Sequence, residues 1–140
     1  MKTLRSVLFT LAVLLLAAAA QAQQTNVRAD IPFDFFAGNH MYPAGEYWLT
    51  STPTNDAIIR IGGVEETPAR NLPTNACMNP TGSKETKLVF RRVGGDYFLY
   101  QVWVAGNTEG REFFRTRAET LLAKNGDKPN YVIVAANLAK

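Results

Sequence analysis

Few residues in this chain can do chemistry, and their spacing keeps them apart. His40 is the single histidine and Cys77 the single cysteine. A Ser-His-Asp arrangement needs a serine beside the histidine, held in α/β-hydrolases by a G-x-S-x-G elbow. Beyond the N-terminal leader the serines are Ser51 and Ser83, and neither lies in such a motif. A structural zinc site takes about four Cys or His ligands, which these two residues cannot supply. Asp30 and Asp34 share one face of a predicted strand, but four residues at about 3.3 Å each set them about 13 Å apart. A glycosidase pair stands at roughly 5–9.5 Å. They read as solvent-facing charges or as partners for Arg28, and Glu65-Glu66 as a loop pair without a partner. No P-loop, G-x-G-x-x-G run or EF-hand loop occurs. His40 reads as a solvated turn residue. The expectation is a protein that is not an enzyme, with no catalytic, metal or cofactor residues.

Binding chemistry is better represented. Arg91 and Arg92 stand at a hairpin end, while Arg111, Arg115 and Arg117 gather near a predicted helix start. Together they suit an acidic ligand, an anionic sugar or lipid-borne phosphates, because a guanidinium fork bonds such groups bidentately. The competing reading is a salt-bridged, edge-protecting surface shared with Glu109, Glu112 and Glu119. A second set, Tyr97, Phe98, Tyr100 and Trp103, forms an aromatic stripe. It could line a ligand cavity, although core packing is the commoner use of such a stripe.

The elements that must position these groups follow an export leader. Lys2 and Arg5 make a positive start, residues 7–20 are apolar apart from Thr10, and Ala20-Gln21-Ala22 is a small-x-small site. This predicts a signal peptide over 1–22, cleaved after Ala22. The apolar run is short of the roughly 20 residues that span a bilayer, so no stable membrane span is expected after cleavage. Removing 22 of 140 residues leaves 118, one β-rich domain over 23–140. The leader takes two of the 15 basic residues and none of the 12 acidic ones, so the mature chain is near +1. That balance favours the salt-bridged surface and gives no nucleic-acid footprint. A lone cysteine excludes an intramolecular disulfide. Without a neighbouring His or Lys, Cys77 reads as a small, partly buried side chain.

The pattern is β. Positions 27–35 alternate apolar and polar, which predicts a half-buried strand, with Pro32 marking an edge. Tyr42-Pro43-Ala44-Gly45 fits a tight turn into a strand over 46–52. Residues 53–56 are a turn, 57–61 a short strand, and a further strand over 64–67 is weakly indicated. Residues 68–85, rich in Pro, Asn and Thr, predict a loop with a short edge strand near 69–72; as a long loop it is also a place to look for a binding surface. Gly94-Gly95 predicts a two-residue hairpin joining 88–93 to 96–104, with Phe90 facing Leu99 and Val89 facing Tyr100. Residues 97–104 and 131–137 are apolar on both faces and suit central or closing strands. Thr116 and Glu119 fit a capping box on a helix to about Lys124, stopping at Gly126 and docking through Ala118, Leu121 and Leu122. The sum is an all-β fold with one short helix: a small antiparallel β-sandwich or barrel of about seven strands.

Ile31, Pro32, Phe33, Phe35, Gly38, Pro43, Ala44, Gly45 and Tyr47 carry a resemblance. They resemble the opening of a family of short exported bacterial proteins of acidobacterial type, with I-P-F-x-F, a glycine-containing turn and L-P-A-G-x-Y. Tyr42 stands where that family has leucine. Residues 88–90, 97–99 and 118–119 are also similar, so the resemblance covers most of the mature chain. It implies a small exported β-domain and carries over no functional residue.

Two functions remain open. One is a non-enzymatic module of the periplasm or extracellular space that binds an envelope protein, a glycan or another surface polymer. The other is a lipocalin-like carrier whose interior holds a small apolar ligand. Tyr97, Tyr100, Trp103, Arg91, Arg92, Arg115 and Arg117 are the candidate ligand or partner surface.

Overall fold

The computed structural model describes residues 25–65, 67–126 and 128–139. The leader, its cleavage site after Ala22, and Glu66 of the acidic pair lie outside the described residues. Among the described residues, eleven strands and one helix follow in order. They are β1 (Asn26–Ile31), β2 (Phe35–Ala37), β3 (His40–Tyr42), β4 (Gly45–Thr52), β5 (Asn55–Gly63) and β6 (Arg70–Met78). Then come β7 (Lys87–Val93), β8 (Asp96–Trp103), β9 (Glu109–Phe113), the helix α1 (Arg117–Lys124), β10 (Asn130–Ala135) and β11 (Asn137–Leu138). The fold is all-β with one short helix, and the count exceeds the seven strands expected. The excess arises because the 27–35 run bends after Ile31. It yields β1 and a separate small hairpin, β2–β3, whose turn has Gly38 at φ 59°. A glycine with positive φ at the first central position is the type II′ signature.

The strands hydrogen-bond in the order β10-β7-β8-β9-β6-β5-β4-β1-β11. No ladder joins β10 to β11, but only Ala136 lies between them in the chain. The C-terminal segment therefore borders both ends of the order: β10 pairs with β7, and β11 with β1. The chain thus brings the two ends of the order near each other at Ala136, although no ladder closes them and the sheet stays open. A second corner lies in β6, where residues 70–73 pair with β5 and residues 74–78 with β9. Pro73, which has no N–H to give to a ladder, sits where the partner changes. The sequence expectation of a loop over 68–85 is corrected here: nine of those residues form an inner strand. Pro32 follows the end of β1 that is paired on one side only, because β11 reaches no further than Arg28. The sheet is not wholly antiparallel, since β2 meets β8 in a parallel bridge at Phe36 and Phe98. Val64, Glu65 and Thr67 are not in a strand; β5 ends at Gly63.

The interior follows from the alternation. Val27, Ile31, Phe35, Leu49, Ile59, Ile61, Leu88 and Phe90 are fully shut from water. Burying each such side chain contributes about 1.5–3 kcal/mol. The β2–β3 hairpin covers the end where β1 finishes and β4 begins. Phe35 stacks on Tyr42 and meets Tyr47 and Phe90 edge-on, with centroids 5.1–5.4 Å apart. These side chains pack together as one buried core.

The hairpin through Gly94 (φ 60°) and Gly95 (φ 90°) forms as expected, with both glycines in the positive region that a type I′ turn demands. Phe90 faces Leu99, but a bulge beside it sets Val89 opposite Gln101 rather than Tyr100. The bulge changes which side chains of β8 point inward, because one extra residue reverses the alternation. Tyr97, Leu99, Val102 and Val104 belong to the interior, whereas Phe98 and Trp103 lie on the outer wall.

Candidate functional site

The helix shows how the outer wall is built. Thr116 caps it, its hydroxyl accepting from the Glu119 N–H at 3.1 Å. The docking face differs from expectation. Ala118 and Leu121 are exposed, and the fully buried residue is Glu119, 2% accessible. Its carboxylate feels the Thr116 backbone N–H, as a capping box requires, but its strongest partner is elsewhere. It meets Arg91 of β7, with Nε 2.6 Å from Oε1 and Nη2 donating to Oε2 at 3.2 Å. Burial lifts the Glu119 carboxyl above its usual range, and Arg91 and then Arg115 draw it part of the way back. Arg91 also lies 4.1 Å over the ring of Tyr100, which in turn leans on Tyr131.

The residues nominated from sequence therefore separate into several environments instead of forming one site. Tyr97 faces inward, stacked on Phe33 with centroids 3.9 Å apart, and Arg92 sits 5.5 Å above it. Arg91 and Tyr100 are the anchor beneath α1, and Arg115 reaches its edge, 4.0 Å from Glu119. Arg117 is the exposed first residue of the helix. Trp103 lies flat over Gly110 of β9, where a Cβ would come within 2.7 Å of the ring. Its indole N–H donates to Gln101, whose amide donates to Glu112. Arg111 pairs with Glu109 at 3.5 Å. Neither a single arginine cluster nor an aromatic-lined cavity results.

A different set of residues converges. At the rim of the sheet, beside the β2–β3 hairpin, a cleft of about 480 Å³ opens between three segments: Gly38–His40, Arg70–Pro73 and Phe113–Thr116. Gly38 makes this possible, since any Cβ there would stand 2.9 Å from Leu72. The hairpin tip can close on β6 only with glycine at that position. That contact brings His40 to Arg70, whose Nη1 is 3.2 Å from the His40 Nε2. A guanidinium only donates, so Nε2 accepts and the ring proton is assigned to Nδ1. Leu72 and Phe113 form the buried floor. Phe114 stands at the rim with 52% of its surface exposed, and Arg115 closes the far wall.

No family model, curated protein or solved structure matches the chain.

Two further groups seen in the sequence have structural surroundings. Asp34 accepts from the Ala44 N–H at 2.8 Å and pins the turn into β4. Cys77 lies in β6, and its thiol is pushed up to about 11, first by burial and then by Glu112. Of the cleft residues, sequence reasoning nominated Arg115 alone and set His40 down as a turn residue. Arg70 lies 30 residues from His40 in the chain. The only signal pointing there was the peculiar composition of 68–85.

Proposed function

We propose that this chain is an exported, non-enzymatic β-rich module that binds a surface polymer or partner protein on its outside. The observation that carries the reading is the filled interior: aromatic side chains from the β2–β3 hairpin occupy the space a carrier would leave for cargo. Carriers of the barrel type keep an enclosed apolar cavity, whereas the cleft here lies at the rim and is edged by Arg70, His40 and Arg115. The chemistry of the reactive groups supports binding over catalysis. The His40 Nε2 is engaged by Arg70, and the Cys77 thiol is held protonated. Export rests on the leader and on the resemblance of the 31–47 segment to exported bacterial β-domains.

Titration of the native protein with an apolar fluorescent dye, alongside pull-down from envelope material, tests the reading. The expected result is no saturable dye site together with retention of an envelope polymer or protein. Stoichiometric dye binding, or a co-purified apolar molecule in native mass spectra, would establish the carrier instead.

A further inference from the structure

We propose that the rim cleft takes the carboxylate-bearing sugar of an acidic surface polysaccharide, with Arg70 and Arg115 holding the carboxylate. This rests on the binding-module reading above and names its ligand class. Charge is the first argument. Arg70 and Arg115 both line the cleft, and none of the residues lining it is acidic. The nearest carboxylate to Arg115, that of Glu119, is already committed to Arg91 at 2.6 Å. Arg115 is held to that shared carboxylate only at 4.0 Å, and with its side chain 53% exposed it can also meet a ligand.

Preorganisation is the second argument. His40 accepts one Arg70 N–H and thereby fixes the plane of that guanidinium, leaving other donors of the five-donor fork for a bound anion. An arginine already held in place loses less rotamer entropy when it binds.

Shape decides between a sugar acid and a bare anion. The volume of about 480 Å³ falls within the small-ligand range of roughly 300–1,000 Å³. Phosphate alone would leave the apolar part of the cleft unused. The exposed ring of Phe114, with Leu72 and Phe113 behind it, offers a π-face and an apolar floor to the C–H side of a pyranose. Asn39 and Asn71 at the rim carry amides that both donate and accept, the requirement for sugar hydroxyls.

Calorimetry with trigalacturonate, a neutral trigalactose and inorganic phosphate tests the proposal. Trigalacturonate should bind, and the neutral sugar should bind at least about tenfold more weakly, the loss of one charge-assisted hydrogen bond. Arg70→Gln and Arg115→Gln should each cost about tenfold at unchanged thermal midpoint. Arg28→Gln, a surface arginine paired with Glu46 on the outer wall, should leave binding intact. Equal binding of the neutral sugar, or phosphate displacing trigalacturonate at equal concentration, overturns the proposal. If trigalacturonate fails while envelope material is still retained, the acidic-sugar assignment falls and the module reading stands. Saturable dye binding would sink both.

Discussion

Arg91 and Glu119 form an ion pair beneath helix α1, Nε to Oε1 at 2.6 Å, with side chains only 7% and 3% exposed. The helix has eight residues, too few to hold itself together, so its docking depends on what it buries. What it buries is chiefly a charge, and the pair with Arg91 makes that burial tolerable.

Breaking the pair from the arginine side should therefore be costly. Arg91→Met leaves the Glu119 carboxylate buried without its main counter-charge, and denaturant unfolding should show a loss of about 3–5 kcal/mol at neutral pH. The double change Arg91→Met with Glu119→Leu should recover most of that loss, because two apolar groups need no solvation. An unchanged midpoint for the single variant would mean that α1 is not anchored there.

The same carboxyl sets a pH dependence. Burial raises its folded value above the unfolded one, so between the two values the folded chain binds a proton that the unfolded chain releases. Glu119's contribution to stability is then largest at acid pH and declines as pH rises through that window. Thermal midpoints of the wild type should fall relative to Glu119→Gln over that range. A rise instead would show that Arg91 outweighs burial.

Trp103 and Gly110 form a second close contact of the outer wall. A Cβ at Gly110 would meet the indole at 2.7 Å, so Gly110→Ala should cost about 1–3 kcal/mol and shift the tryptophan emission. In a Trp103→Ala background the same substitution should cost much less, a coupling that a double-mutant cycle measures directly.

Cys77 should be sluggish. With its thiol near 11, on the order of one molecule in a thousand carries the thiolate at pH 8. Alkylation by iodoacetamide should run on the order of a hundredfold slower in the native protein than in urea. Equal rates, or a disulfide-linked dimer on a non-reducing gel, would contradict this.

The sequence makes local features legible. Gly94-Gly95, the turn at 43–44 and the Thr116 cap are each set by one or two residues with narrow conformational preferences, and each forms where expected. Positions that depend on partners distant in the chain are less readable. Nothing between 68 and 85 announces that Pro73 marks a corner between two ladders, because that depends on β5 and β9 both being present. The bulge opposite Phe90 shifts register by one residue and turns the stripe at 97–103 from a candidate cavity lining into a strand with two differently used faces. Glu119 reads as a capping glutamate from its spacing alone, yet Arg91, 28 residues away, claims its side chain. The rim cleft draws on three segments that only the folded sheet brings together.

The link at Ala136 bears on how the molecule assembles. Asn26 and Ala139 share a hydrogen bond although 113 residues separate them. Joining them is among the least local events in the fold, and such contacts slow folding. Until the C-terminal segment docks, β1 and β7 each expose an unpaired strand edge, which invites pairing with other chains. A nascent molecule would therefore stay vulnerable to intermolecular association until its last dozen residues arrive. The chief aggregation hazard therefore falls between the appearance of β7 and the arrival of β10.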